Sequence, residues 1–332
     1  MNILKNIKLY NFRNHDEFLV DLNKKTTLIV GENGSGKTSV LEAIYICLQG
    51  KSFRATDNEI LKNNKDFYRI ELEFCDGNEE KVIFDGENKK FVQNNKTSKR
   101  ILKNNKYPVV LFLPEDLHLI QSSPTRRRDY FNKFFSQLDE RYYNSLLKYN
   151  KALKQRNELL KKEYLNKNEL FSWNIMLAKY GREIIRGRKS WIDDINKEFT
   201  KKYKNISKNN DEIEISYSGE IISNNDYIKK IEENFEKDKI LGYTTFGPHR
   251  DDFIFKFNNF EAEGSASRGE IRSMILALKF IEADLLNKEI DKKPVILLDD
   301  VFSELDKNRQ KSLVKNFKEN QIILTSVEEI NL

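Results

Sequence analysis

The sequence predicts an α/β protein: a mixed-sheet domain with helices, interrupted by an inserted helical arm. Three observations predict it. Short apolar runs at both ends of the chain, Thr27–Val30 and Val295–Leu298, have the length and polar boundaries of buried strands. A glycine-rich turn joins the first of these runs to an amphipathic helix. From about residue 123 to 205 the chain is rich in Lys, Arg and Glu and almost free of glycine, the pattern of long solvated helices.

Bulk composition narrows the function classes. At 332 residues there is room for one large domain or two ordinary ones, and 39% hydrophobic residues can support a core. The 58 basic and 52 acidic residues leave a formal charge of +6, which permits a nucleic-acid partner without indicating one. Cys47 and Cys75 are the two cysteines, too few and too far apart for a disulfide framework or a four-cysteine zinc site. The N-terminus MNILKNIKLYNF is too polar for a signal peptide, and no apolar run reaches membrane-spanning length. A soluble, cytoplasmic protein with no membrane partner is expected.

Taken in order, Thr27–Val30 is a short buried strand and 39–48 a helix with apolar residues at 40, 41, 44, 45 and 48. The stretches FYRIELEF, KVIFDG and KKFVQ within 66–93, separated by turn residues, predict a small antiparallel sheet. VVLFLP at 109–114 is another strand, ended by Pro114. Ser123-Pro124 has the form of a helix start. Tyr142, Leu146, Tyr149 and Leu153 share a 4-3-4 spacing with Trp173, Leu177, Tyr180 and Ile184, a series that extends to Trp191. They predict two helices with apolar seams, joined around 164–169. Strand and helix signals return past 240. The expected division is residues 1–122 as the N-terminal part of the main domain, 123–242 as the inserted arm and 243–332 as the C-terminal part.

Gly31-Glu32-Asn33-Gly34-Ser35-Gly36-Lys37-Thr38, followed by Ser39, fits G-x-x-x-x-G-K-[ST], with a strand before it and a helix after it. Such a loop curls backbone N–H groups around the β- and γ-phosphates of a nucleotide, and the helix N-terminus adds a favourable dipole. Lys37 supplies a charge to the phosphates during catalysis, and the Thr38 hydroxyl is a Mg²⁺ ligand. ATP and Mg²⁺ are the expected cofactors. Asp299 and Asp300 emerge at the C-terminal end of the 295–298 strand, where α/β sheets place ligands. Asp299 is expected to hold Mg²⁺, and Asp300 to orient or deprotonate the attacking water.

Ser267-Arg268-Gly269-Glu270 resembles the S-x-G-[QE] signature of ABC-type ATPases, which meets the γ-phosphate of a nucleotide held by a second subunit. Serine followed by helix N-terminal amides suits an anion, although ordinary capped helices begin in the same way. Ser303 and Asp306, in SELD after the carboxylates, match the D-loop of that superfamily.

Beyond these motifs the chain resembles the RecF family, over almost its whole length. The residues that carry the resemblance include LYNFRNH at 9–15, GKSFR at 50–54, FLPEDL at 112–117 and SPTRRRDYFN ending at Asn132. YNKALKQRNELLK at 149–161, GPHRDD at 247–252, SRGEIRSMILALKFIE at 267–282 and LLDDVFSELD complete the set. The resemblance implies an ABC-type ATPase head, an ATP-dependent homodimer and slow, DNA-stimulated hydrolysis. It implies DNA binding at gaps or single-/double-strand junctions, a role in replication-fork maintenance, recombinational repair and the SOS response, and RecO and RecR as partners in recombinase loading. An adaptor with little hydrolysis, or another ABC-type subunit, is the alternative.

Three departures stand out. No Gln occurs in the Q-loop region before Gln121; Thr325 or Ser326 stands where transporters carry a switch histidine; the signature ends in Glu270 where glutamine is common. The C-terminal segment usual in the family is expected to be shortened. Candidate DNA contacts are Arg126, Arg127, Arg128, Arg182 and Arg186, with Arg188 and Lys189 nearby; a solvated helix face is the competing reading, and pairing with acidic residues of the main domain is a further alternative for Arg126–Arg128. His249 and Arg250 either fix their loop or touch nucleotide. His15 and His118 are expected to be packing or hydrogen-bonding residues, and the aromatics of the arm its core.

Overall fold

The computed structural model of the chain describes residues 3–93, 96–102, 105–290 and 292–329. It divides into two compact units, Met1–Leu117 with Glu282–Leu332, and His118–Ile281. In chain order the first unit holds β1 (Leu4–Phe12), β2 (His15–Asp21), β3 (Thr26–Val30), α1 (Lys37–Gln49), a single turn α2 (Asp57–Ile60), β4 (Tyr68–Phe74), β5 (Glu79–Phe84), β6 (Lys89–Gln93), β7 (Lys96–Ser98) and β8 (Val109–Phe112). The second unit follows with α3 (Pro124–Leu138), α4 (Glu140–Leu160), α5 (Lys167–Ser207), β9 (Ile213–Tyr217), α6 (Asn224–Glu233), α7 (Phe235–Leu241), β10 (Phe253–Phe257), β11 (Phe260–Glu261) and α8 (Ala262–Ser265). The division falls within α9 (Arg268–Glu289), after which β12 (Val295–Leu298), α10 (Lys307–Asn316) and β13 (Ile322–Ser326) complete the first unit.

Among the described residues the first unit has two sheets. One is parallel, in the order β3-β13-β12-β8, so residues from opposite ends of the chain lie side by side. The other is antiparallel, in the order β2-β1-β4-β5-β6-β7. Helix α1 packs against β1, β4 and β5 of one sheet and β8 and β13 of the other, and nearly all of its residues are buried. A helix covered on both faces has apolar residues all round rather than one stripe. This core joins Leu4, Ile7 and Leu9 to Ile44, Ile70, Val82, Leu297 and Ile323. Buried Gln321 fastens the chain ends: its Oε1 accepts from the N–H groups of Ile3 and Leu4 at 2.8 and 2.7 Å, and its Nε2 donates to the carbonyls of Leu4 and Leu22. The first unit thus has the expected α/β architecture, with helix α1 packed between two sheets.

The structure departs from the sequence expectations at four points. Strand β3 lies at the edge of its sheet, so Thr27 is its one buried residue and Val30 is exposed. The helical region has three long helices and a three-stranded antiparallel sheet, β11-β10-β9, rather than a helix pair alone. Because β10 pairs with β9 from Phe253↔Tyr217 to Phe257↔Ile213, residues 243–281 belong with the second unit, whereas the expected boundary returned the chain to the main domain at 243.

The faces of the arm helices also differ. Leu146, Leu153, Trp173 and Trp191 are half-buried, while Ser145, Asn174, Arg156 and Arg188 are buried beside Tyr142, Tyr149, Leu177, Tyr180 and Ile184. Arg156 donates to Asp238 and Thr244, both at 2.7 Å, and to Asn174 at 2.8 Å. Arg188 donates to the carbonyl of Pro248 at 2.7 Å and to Asn132 at 3.0 Å. Buried charges persist where hydrogen bonds and counter-charges replace water.

Glu80 on β5 yields a pH prediction. Burial pushes its carboxyl up to about 7 from 4.5, against the hydrogen bond from Gln93 and the charge of Lys292. A carboxyl raised in the fold favours the folded state below its unfolded value and loses that advantage as pH rises through about 7. Glu80→Gln is therefore expected to raise stability at pH 8 by about 1–3 kcal/mol relative to its effect at pH 4. Thermal melts of both proteins across that range measure it; parallel pH profiles would contradict it.

Candidate functional site

The glycine-rich loop leaves β3 and enters α1. Gly34 and Gly36 have φ of 84° and 98°, a left-handed backbone that glycine adopts without penalty. At Gly36 a Cβ would also lie 2.3 Å from His15 Nε2 and 2.7 Å from Asn14 Oδ1, so both side chains would have to move from the loop's wall. Asn14 Nδ2 donates to the Gly34 carbonyl at 3.3 Å, and His15 Nε2 lies 3.4 Å from the Gly36 carbonyl. His15 is thus a hydrogen-bonding residue of the loop's wall, stacked on Phe18.

Lys37 is buried and donates from Nζ to the carbonyls of Gly31 at 2.6 Å and Glu32 at 3.0 Å. Ser35 N–H closes the turn on Glu32 O, and Gly31 N–H donates to Ser326 O at the end of β13, both at 3.2 Å. A cavity of about 680 Å³ opens here. Asn33, Gly34, Gly36, Lys37, Thr38 and Ser39 form one side, with Asp300 beside them; Arg13, Asn14, Arg54, Lys62 and Asn63 continue the wall.

The parallel sheet brings the paired carboxylates to this loop. Thr38 Oγ1 lies 2.9 and 3.0 Å from the two carboxylate oxygens of Asp299, 261 residues away in sequence. Thr325 Oγ1 donates to Asp299 Oδ1 at 2.8 Å and accepts from the N–H of Asp300 at 2.9 Å. Burial raises the Asp299 carboxyl above its ordinary value, the hydrogen bonds from Thr325 and Thr38 work against that rise, and the Asp300 charge adds to it. Asp300 has φ of 49°, and its Oδ1 is buried without a hydrogen-bond partner among the described residues. Ser303 Oγ donates to the Asp300 carbonyl at 2.7 Å. Asp306 caps α10, accepting from the N–H groups of Asn308 and Arg309 at 3.0 and 3.1 Å.

Hard oxygen donors from Thr38 and Asp299 suit a small divalent cation. The orphaned Asp300 oxygen and the glycine cradle suit a water-bearing phosphate group at the loop. The residues present therefore fit a Mg²⁺-bound nucleoside triphosphate.

A second constellation was invisible as such in the sequence. The Glu42 carboxylate on α1 is fully buried, and five hydrogen bonds converge on it. Arg13 donates from Nε and Nη2 at 2.9 and 2.8 Å, Arg54 from Nε and Nη2 at 3.1 and 2.9 Å, and Ser52 Oγ at 2.6 Å. Arg13 is itself left-handed, with φ of 56°, and its Nη1 donates to the Glu59 carbonyl at 2.9 Å. Burial opposes the Glu42 charge, but the bonds from Arg13, Arg54 and Ser52 hold the carboxyl below its ordinary value. The blocks NFRN and KSFR, far apart in sequence, meet on this one group. The available signal was a lone carboxylate within an otherwise apolar helix.

The second unit holds the remaining candidates. Ser267 and Glu270 form a capping box at the start of α9: Ser267 N–H donates to Glu270 Oε2 at 2.6 Å, and Glu270 N–H to Ser267 Oγ at 3.4 Å. Arg268 and Gly269 are in the first turn of α9.

The basic candidates separate. Arg126 and Arg186 are exposed. Arg127, by contrast, is buried and grips Asp252 at 2.9 and 2.6 Å, so it holds its own unit together rather than offering a free guanidinium. Arg128 is half-buried and donates to the Asp251 carbonyl at 2.8 Å; Arg182 is half-buried and donates to the Ile222 carbonyl at 2.7 Å. Arg188 is buried, as above. In GPHRDD, burial pushes His249 down to about 4, so a neutral ring donates from Nε2 to Thr244 O at 2.9 Å and accepts from Tyr149 at 2.7 Å. Arg250 also donates to Thr244 O, at 3.2 and 3.3 Å. Both residues fix their loop.

The family described as "RecF/RecN/SMC N terminal domain" matches residues 3–331. A "DNA replication and repair protein RecF" of Clostridium acetobutylicum is 35% identical, covering 97% of this chain and 92% of that protein. Two solved structures of the recombination mediator protein RecF, with ATPrS and with ATP and both of the RecFOR pathway, superpose with TM-scores of 0.90 and 0.89. Each is 30% identical and covers 99% of this chain and 93% of its own. No helix among the described residues is long and apolar enough to cross a membrane.

The Glu42 knot makes a quantitative prediction. Glu42→Gln removes the charge that balances two guanidiniums, and a broken buried ion pair typically costs ~3–5 kcal/mol. Because the native carboxyl is held below its ordinary value, that contribution is present above the unfolded value near 4.5 and lost as pH falls below it. Chemical denaturation at pH 7 is expected to show the full loss, and the loss is expected to shrink as pH falls below about 4.5. An unchanged denaturation midpoint at pH 7 would refute the role of the knot.

Proposed function

The chain belongs to the RecF family, and from that premise we propose that it is an ATP-dependent DNA-binding protein of recombinational repair and replication-fork maintenance. The observation that carries the proposal is the Thr38–Asp299 pair, which joins the glycine-rich loop to the carboxylate strand beside a cavity of nucleotide size. Relatives described as DNA replication and repair proteins, and RecF structures with bound ATP, support the substrate assignment.

In this proposal the N–H groups of residues 31–39 and the Lys37 ammonium take the phosphates, with Lys37 exchanging its present carbonyl partners for phosphate oxygens. Thr38 and Asp299 hold Mg²⁺. When bound, the ion neutralises phosphate charge and fixes the phosphate geometry. Asp300 orients the attacking water and accepts its proton; its buried, unpartnered Oδ1 is the atom poised for that work. Ser267, Arg268, Gly269 and Glu270 meet the γ-phosphate of a nucleotide held by a second copy, with Ser303 and Asp306 at the same dimer interface. A site completed by a second copy makes hydrolysis slow and dependent on assembly.

DNA gaps or single-/double-strand junctions are the proposed ligand. Exposed Arg126 and Arg186 are the candidate phosphate contacts, and binding through them falls with salt. Arg128 and Arg182 are secondary candidates, since each already holds a backbone carbonyl. RecO and RecR, components of the RecFOR pathway to which the RecF structures are ascribed, are the proposed protein partners, in the cytoplasm.

Sedimentation with ATP, ADP or no nucleotide, on gapped and blunt DNA, tests the proposal. ATP alone is expected to produce a dimer, with preference for gapped DNA. Lys37→Ala is expected to lose ATP binding by about two orders of magnitude, and tight retention of nucleotide would refute the site. Ser267→Arg is expected to bind ATP as a monomer but not to dimerise; an intact dimer would confine Ser267 to its helix-capping role. If Asp300→Asn and wild type hydrolyse equally slowly while both dimerise, ATP acts as a gate for an adaptor rather than as a fuel.

A further inference from the structure

The hydroxyl of Thr325 lies at the end of β13, between the strand that feeds the glycine-rich loop and the strand that carries the carboxylates. It is 1% exposed. A hydroxyl has one proton to donate and lone pairs to accept with. Here the proton goes to Asp299 Oδ1 at 2.8 Å, and a lone pair receives the N–H of Asp300 at 2.9 Å. One side chain thereby fixes the carboxylate of the first aspartate and the backbone of the second. The Asp300 backbone needs such a hold, because its φ of 49° lies in the left-handed region.

The consequence reaches Thr38. Asp299 accepts from both threonines, and Thr38, with its proton directed at the carboxylate, keeps its lone pairs for a cation. We infer that Thr325 is a positioning residue for a divalent-cation site: it orients Asp299 toward Thr38 and pins Asp300 beside the cavity, without itself touching the nucleotide. The inference rests on the proposed nucleotide site. A residue whose single proton is committed to a carboxylate is not a donor to a phosphate, so position 325 differs in kind from a histidine that reads the γ-phosphate.

The test is binding of a fluorescent ATP analogue across a Mg²⁺ titration and in EDTA, with thermal melting of each protein. Thr325→Val keeps the shape of the side chain and removes the hydroxyl. It is expected to bind the analogue in EDTA within about twofold of wild type while needing about tenfold more Mg²⁺ or beyond for the Mg²⁺-dependent gain, the usual scale for loss of an outer-shell partner. Thr325→Ser is expected to restore the wild-type Mg²⁺ profile.

A folded Thr325→Val variant with a wild-type Mg²⁺ profile overturns the inference, as does one that loses binding equally with and without Mg²⁺. Should the valine variant not fold, Thr325→Ala against Thr325→Ser gives the same comparison. Wild-type protein that binds the analogue with no dependence on Mg²⁺ overturns the cation site itself, and the inference with it. A Mg²⁺-dependent wild type beside a variant with the same Mg²⁺ dependence overturns the positioning role alone.

Discussion

The wall of the site depends on one buried charge. A carboxylate taken out of water costs several kcal/mol unless hydrogen bonds and counter-charges replace the lost solvent. Glu42 obtains five such bonds from three side chains on two separate segments, the turn after β1 and the stretch after α1. Those segments therefore cannot wander from the helix that follows the glycine-rich loop. Arg13 anchors the turn that sets Asn14 and His15 against Gly34 and Gly36, and Arg54 extends the same wall. Two guanidiniums against one carboxylate leave a unit of positive charge next to Lys37, and a concave wall of that sign concentrates anions.

The second constraint is topological. A parallel sheet places the C-terminal ends of its strands at one edge, where the loops that follow them meet. Strand β13 lies between β3 and β12, so the loop after β3 and the aspartates after β12 face each other across it. This arrangement needs both ends of the chain. Thr38 and Asp299 are separated by 261 residues, and Gln321 fastens the start of β1 to the start of β13. Closing so long a loop is slow, while its entropy cost grows only logarithmically with length. The long insertion is thus thermodynamically tolerable within a site that its two flanks complete.

The second unit handles charge differently. Its buried arginines, Arg127, Arg156 and Arg188, each satisfy carboxylates, amides or carbonyls of their own unit. Arg156 and Arg188 thereby hold the segments that carry Thr244 and Pro248, on either side of Gly247. The sequence reads such residues as a basic face, because a helical periodicity reports which positions are apolar and not which polar ones find partners. Asp252, the partner of Arg127, is 125 residues away, and Asp238, the partner of Arg156, is 82. No local pattern foretells such partners, nor the Pro248 carbonyl that holds Arg188, so Arg127 and Arg188 read in the sequence as parts of a basic face.

Legibility followed the range of the interaction involved. The glycine-rich loop, the helix after it, the aspartates at the end of β12, the hairpins of β4 to β6 and the proline-led start of α3 all depend on residues a few positions apart, and the sequence discloses them. The convergence on Glu42 needs segments from β1, α1 and the stretch beyond, so NFRN and KSFR read only as family blocks with no stated task. The pairing of the strand FIFKF with IEISY, some forty residues earlier, is illegible for the same reason. Position 325 shows the limit best. Compared with a transporter it looks like a missing histidine, a deficit. Its hydroxyl instead spends its proton on Asp299 and its lone pair on Asp300, so what sequence comparison records as an absence is, in the fold, the group that ties the two carboxylates together.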